Sequence, residues 1–151
     1  MKYYKLVIIT FIVTALWDIV LRFLSLNNEK INYNFPDFVK YLKPYFQQHT
    51  MLSAALIAGF VGATTQPIIL YFMKFPSVKS NSIYIIQFMV LSFVISGLFG
   101  FLMKATKLFP YLDKHYYNNL GTTRAMYHDG ISGLIVQSTI LVLFFISDKM
   151  K

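Results

Sequence analysis

Apolar positions in this chain gather into four long runs, at about residues 5–26, 51–73, 83–103 and 125–147, with shorter polar stretches between them. Each run is near the roughly 20 residues that an α-helix needs to cross the hydrocarbon core of a bilayer. None alternates with the two-residue period of a strand or a barrel segment. The pattern predicts an all-α integral membrane protein. It has one domain over residues 1–151, four transmembrane helices, and both termini on one side.

The loops on the opposite side share a feature. One contains NFPDFVKYLKPYF and the other LFPYLDKHYYNNL. Phe-Pro opens each, and proline suits the first turn of a helix, where its missing N–H costs nothing. In the first loop Phe35, Phe38, Val39 and Leu42 share a face, and Pro44 should end the helix. In the second, Phe109, Leu112 and Tyr116 follow similar spacing. Both are expected to be short amphipathic helices lying at the headgroups. Irregular loops with aromatic plugs are the alternative.

The polar residues inside the runs are more informative than the apolar ones. In the first run Thr10, Thr14, Asp18, Arg22 and Ser25 recur every three or four residues, so a helix places them in one stripe. Asp four residues before Arg is the favourable order for a side-chain pair. An isolated charge at the bilayer centre costs about 2.5–3.5 kcal/mol on insertion scales, so the stripe should face other helices or a wet cavity. The fourth run opens with Tyr127-His128-Asp129-Gly130, which brings Asp129 near the depth of Arg22. We therefore expect Arg22 to sit between Asp18 and Asp129, packing the first helix on the fourth. On that expectation, exchanging the charges of Arg22 and Asp129 restores what either single change loses. Gln137, at mid-depth, and Gln66 and Gln87, toward the terminal side, would extend a polar path from Asp18 and Thr14.

Small residues mark the packing faces. Ala55, Gly59 and Gly62 line the second run, Ser92, Ser96 and Gly100 the third, and Gly133 the fourth, at spacings that let helices approach closely. Gly62 and Gln66, and likewise Gly133 and Gln137, form G-x-x-x-Q after a Phe-Pro loop. A two-plus-two duplication would produce this, but the surrounding residues hardly agree, and chance is the favoured explanation.

Composition narrows the class further. Charged residues are only 13 % of the chain, about half the share of soluble domains, and mean hydropathy is +0.54. Such a chain lacks the charge to cover a water-facing surface. Its net charge of +8 is spread singly between apolar runs, which argues against nucleic acid and for contact with anionic lipid. Lys2, Lys5, Lys74, Lys79, Lys149 and Lys151 fall on the terminal side. Lys30, Lys40, Lys43, Lys104, Lys107, Lys114 and Arg124 fall on the other, so the positive-inside rule gives no orientation. Lys2 and Lys5 before an apolar stretch, with Val13-Thr14-Ala15, also resemble a signal peptide, but the apolar run continues to Leu26. The lean to Ile, Phe, Tyr, Lys and Asn fits an AT-rich genome, as in large DNA viruses, some bacteria and some protists.

With no cysteine, disulfides and thiolate chemistry are excluded. His49, His115 and His128 lack metal-ligand spacing, so no metal and no cofactor is expected. Phosphate-loop, nucleophile-elbow, zinc-protease and potassium-filter motifs are absent. The first function expected is a non-enzymatic scaffold or assembly component of a viral or organellar membrane. Its partners would be the lipid bilayer, further copies of itself or other membrane proteins. The second is a small channel or transporter for protons, ions or a small solute, using Asp18, Arg22, Asp129 and His128. A lipid enzyme acting through His128 and Asp129 is a minority reading.

Overall fold

In hydrocarbon every backbone N–H and C=O must be satisfied within the segment, so an apolar run that crosses a membrane becomes a helix. The computed structural model describes residues 2–31, 42–74, 82–117 and 120–149. Among them α1 spans Tyr3–Ile31, α2 Lys43–Gln48, α3 Met51–Phe72, α4 Ser82–Thr106, α5 Pro110–His115 and α6 Thr122–Lys149. Helices α1, α3, α4 and α6 are long and apolar enough to span a membrane. The chain is an all-α, four-span protein, and the spans coincide with the four apolar runs to within a few residues.

Local chemistry explains the ends. Thr50 precedes α3 in extended conformation, and its hydroxyl accepts from the Ser53 N–H at 3.2 Å, satisfying one of the first-turn donors that have no partner in the helix. The helix then continues through Pro67 to Phe72. Pro110 lies in the first turn of α5, as the sequence predicts. In the other loop Pro44 lies in the first turn of α2, which does not use the donor that proline lacks; the helix it is expected to end lies outside the described residues. The predicted face of Phe35, Phe38 and Val39 lies outside the described residues. Tyr45 and Phe46 of α2 are buried, so this short helix plugs the bundle and does not present those rings to headgroups.

The helices associate as two antiparallel pairs. Helix α1 packs along α3, and α4 along α6. The pairs meet more sparingly, α3 against α4 and α1 against α6. Small residues permit the close approach within each pair. A Cβ on Gly62 would lie 2.7 Å from Thr14 Cβ, and one on Gly133 would lie 2.6 Å from Ser96 Cβ. Gly59 abuts the Phe11 ring, and Gly100 abuts Asp129 and the Ala125 carbonyl. Ala55 and Ser92 are buried as well. With lipid as apolar as leucine, this tight contact is what holds such helices together.

The radial distribution inverts that of a water-soluble protein. Ile8, Ile12, Leu16 and Val20 of α1 face outward, as do Ile86, Val90, Val94 and Leu98 of α4. Inside lie Thr10, Asp18, Ser25, Thr65, Gln66, Ser92, Ser96, His128, Asp129 and Gln137. Apolar clusters close both ends of this interior: Leu6, Ile69, Leu70, Phe88 and Ile140 toward the termini, and Leu42, Tyr45, Phe46 and Ala54 toward the loops.

Candidate functional site

The seam between the two helix pairs holds two small cavities of about 30 Å³ each. Either has room for one or two waters. The first is bounded by Asp18, Trp17, Tyr45 and His128, the second by Thr65, Gln66, Ser96, Asp129 and Gly133. Thr14, Tyr116 and Ser132 line both, so the two form one polar axis.

Asp18 points into the first cavity. It is only 8 % exposed, and among the described residues its Oδ2 has no hydrogen-bond partner. The expected clamp on Arg22 is not formed. Arg22 Nη1 instead donates to the Phe46 carbonyl at 2.9 Å and the His49 carbonyl at 2.5 Å. The reason is local: the last carbonyls of a helix have no intrahelical partner, and the C-terminal end of α2 brings them within reach of the long guanidinium. Among the described residues Arg22 pairs with neither Asp18 nor Asp129.

Asp129 is held by other groups. The Tyr117 hydroxyl donates to its Oδ2 at 2.6 Å. Burial, and then the Asp129 charge, raise the Tyr117 hydroxyl well above the ordinary tyrosine range, so it remains a donor. His128 Nε2 lies 3.9 Å from the second oxygen of Asp129 and 3.2 Å from the Tyr116 hydroxyl. Gly100 leaves the space that the Asp129 carboxylate fills: a Cβ there would stand 2.6 Å from Oδ2.

Further toward the termini the glutamines join the pairs. Gln137 Nε2 donates to Gln66 Oε1 at 2.7 Å and to the Gln66 carbonyl at 3.1 Å. Gln66 Nε2 in turn donates to Ser96 Oγ at 2.8 Å. Gln137 is fully buried, and its Oε1 has no partner among the described residues. Gln87 lies apart from this seam. It is exposed, one position off the buried face of Phe88, Ser92, Ser96 and Gly100.

Sequence reasoning thus finds Asp18, Thr14, Asp129, His128, Gln66 and Gln137, which the structure gathers along one seam. It misses the inward position of Tyr45, Tyr116 and Tyr117, which stand in the two loop sequences read as interfacial, and Ser132, a single hydroxyl in an apolar run. It also misses the bond from Trp17 Nε1 to Thr139 Oγ1 at 2.8 Å, which ties α1 to α6. Among the described residues no three His, Cys, Asp or Glu side chains converge as metal ligands.

No protein family, curated protein or solved structure matches the chain. Its class therefore follows from its own geometry. It is a multi-pass α-helical membrane protein, built from two helix hairpins with a polar seam between them.

Proposed function

We propose that the protein is a non-enzymatic transporter that passes protons along the seam. One observation carries the reading: Asp18 presents an unpartnered carboxylate oxygen to a water-sized cavity in the membrane interior. A buried polar group without a partner costs free energy, and a buried charge costs more. A bundle that had only to hold together would be more stable with an apolar side chain there. The volumes favour the proton over larger cargo, since each cavity accommodates water and not a solute. Around Asp18 stand Tyr45, Tyr116 and His128, with Arg22 one turn away and Asp129 across Thr14 and Ser132. The test is proton flux in proteoliposomes with a pH-sensitive dye inside. Wild type should exceed protein-free vesicles, and Asp18→Asn should not.

A second reading, the membrane scaffold, is favoured by a separate feature. An apolar groove of about 500 Å³ between α3, α4 and α5 is lined by Leu56, Phe60, Phe99, Phe109 and Leu112. It suits an acyl chain or an apolar side chain of a neighbouring membrane protein. A scaffold should keep its assembly after Asp18 and Asp129 are both replaced by apolar residues.

A further inference from the structure

The contacts inside the two helix pairs match one another residue by residue. Phe11 packs its ring on Gly59, and Phe93 packs its ring on Gly130. A Cβ on the glycine would meet the ring at 3.0 and 2.9 Å respectively. Thr14 abuts Gly62 as Ser96 abuts Gly133. Thr10 donates its hydroxyl to the Leu6 carbonyl at 2.8 Å, and Ser92 donates to the Phe88 carbonyl at 2.6 Å. Arg22 caps the Phe46 carbonyl and Lys104 the Tyr117 carbonyl, both at 2.9 Å. The outward faces agree as well, with Ile8, Ile12 and Leu16 answering to Val90, Val94 and Leu98.

These pairs obey two constant offsets. Helices α1 and α4 correspond at 82 residues (Phe11 with Phe93, Arg22 with Lys104), and α3 and α6 at 71 (Gly59 with Gly130, Gln66 with Gln137). Residues that meet their own counterparts mark the axis relating the halves. Gln66 bonds Gln137 at 2.7 Å, and Tyr45 stacks edge-on with Tyr116 at a centroid distance of 5.5 Å. Since α1 and α4 cross in the same direction, that axis runs along the membrane normal, as in parallel-repeat transporters.

The geometry points to a tandem repeat of one helix hairpin, with one interior carboxylate per copy at an equivalent place. In the first copy Asp18 comes from the outgoing helix and faces Ala58 across the first cavity. In the second copy the counterpart of Asp18 is Gly100, and the counterpart of Ala58 is Asp129. The carboxylate has changed helix but not position, with Gly100 giving it room. Its donor Tyr117 answers to Phe46. The two carboxylates form one site that holds a proton on either side of the axis. That last step rests on the proton-pathway reading, and the repeat does not.

The test builds the interior of the second copy into the first, with Asp18→Gly, Ala58→Asp and Phe46→Tyr combined. The triple variant should keep the wild-type melting temperature in detergent to within a few degrees, and should retain flux in proteoliposomes. Ala58→Asp alone, which sets a second carboxylate against Asp18, should lower the melting temperature and the folded yield. Asp18→Gly alone should fold and lose flux. A triple variant that melts as low as Ala58→Asp, while Asp18→Gly folds normally, overturns the equivalence. A triple variant that folds like wild type but has lost wild-type flux overturns the shared site. Absence of flux in wild type removes the transport reading, and the melting comparison still decides the repeat.

Discussion

Replacing Arg22 by methionine keeps most of the side chain's volume and removes two charge-assisted hydrogen bonds, to the Phe46 and His49 carbonyls. Bonds to a charged donor contribute about 1.5–3 kcal/mol each. Here one nitrogen serves both, and the contacts are only partly buried, so water regains some of the loss. The expected destabilisation is about 2–3 kcal/mol, a factor of roughly 30–150 in the folding equilibrium. Arg22→Lys should lose about half of that, since a lysine does the corresponding work at Lys104 with the Tyr117 carbonyl. The assay is denaturant or thermal unfolding of purified protein in a fixed detergent. Arg22→Asp combined with Asp129→Arg discriminates further. Were Arg22 paired with Asp129, the exchange would restore stability. On the observed contacts it adds a second lesion, because Asp129 then no longer accepts from Tyr117. Stability of Arg22→Met equal to wild type, or rescue by the exchange, refutes the reasoning.

Other changes follow from the same contacts. Gly62→Ala sets a methyl 2.7 Å from Thr14 Cβ. Overpacking costs about 1–3 kcal/mol, offset by up to about 1 kcal/mol of helix propensity, so its unfolding midpoint should fall and Thr14→Gly should restore it. Gly121→Ala meets nothing within 4 Å and should lower the midpoint only by the poorer N-cap that alanine makes before α6, about 1 kcal/mol or less. Tyr117→Phe leaves the buried Asp129 carboxylate without its 2.6 Å donor and should cost about 1–3 kcal/mol. Tyr117→Phe combined with Asp129→Leu should recover most of this, which a double-mutant cycle reads directly. Gln87→Leu, on an exposed face, should change neither unfolding nor flux.

The four spans were legible because lipid demands long apolar runs, and that demand leaves a continuous signal. The inward stripe of α1 was legible for the related reason that a charge beside hydrocarbon must turn away from it. What the stripe meets was not. Arg22 chooses backbone carbonyls of α2, and no side-chain pattern advertises a carbonyl. The spacing of Phe109, Leu112 and Tyr116 predicts a headgroup position, because aromatics favour interfaces, yet Tyr116 and Tyr117 turn inward to His128 and Asp129. Of the repeat, sequence reasoning finds only G-x-x-x-Q, although Gly59 and Gly130 extend it by three positions. Its offsets differ by 11 residues between the outgoing and returning helices, so no single register aligns both. Several of its equivalences are also of kind and not identity: Thr for Ser, Arg for Lys, Ile for Val. Geometry reads them where letter matching does not.

The central claim is that Asp18 is kept for what it carries and not for what it holds. Asp18→Leu separates the two most directly, with unfolding in detergent and proton flux in proteoliposomes measured on one preparation. Among the described residues its Oδ2 has no hydrogen bond to lose, and an apolar side chain fits beside a cavity of about 30 Å³. The variant should therefore be at least as stable as wild type and should conduct no faster than protein-free vesicles. A variant that unfolds well before wild type, or one that still passes protons at the wild-type rate, contradicts the account.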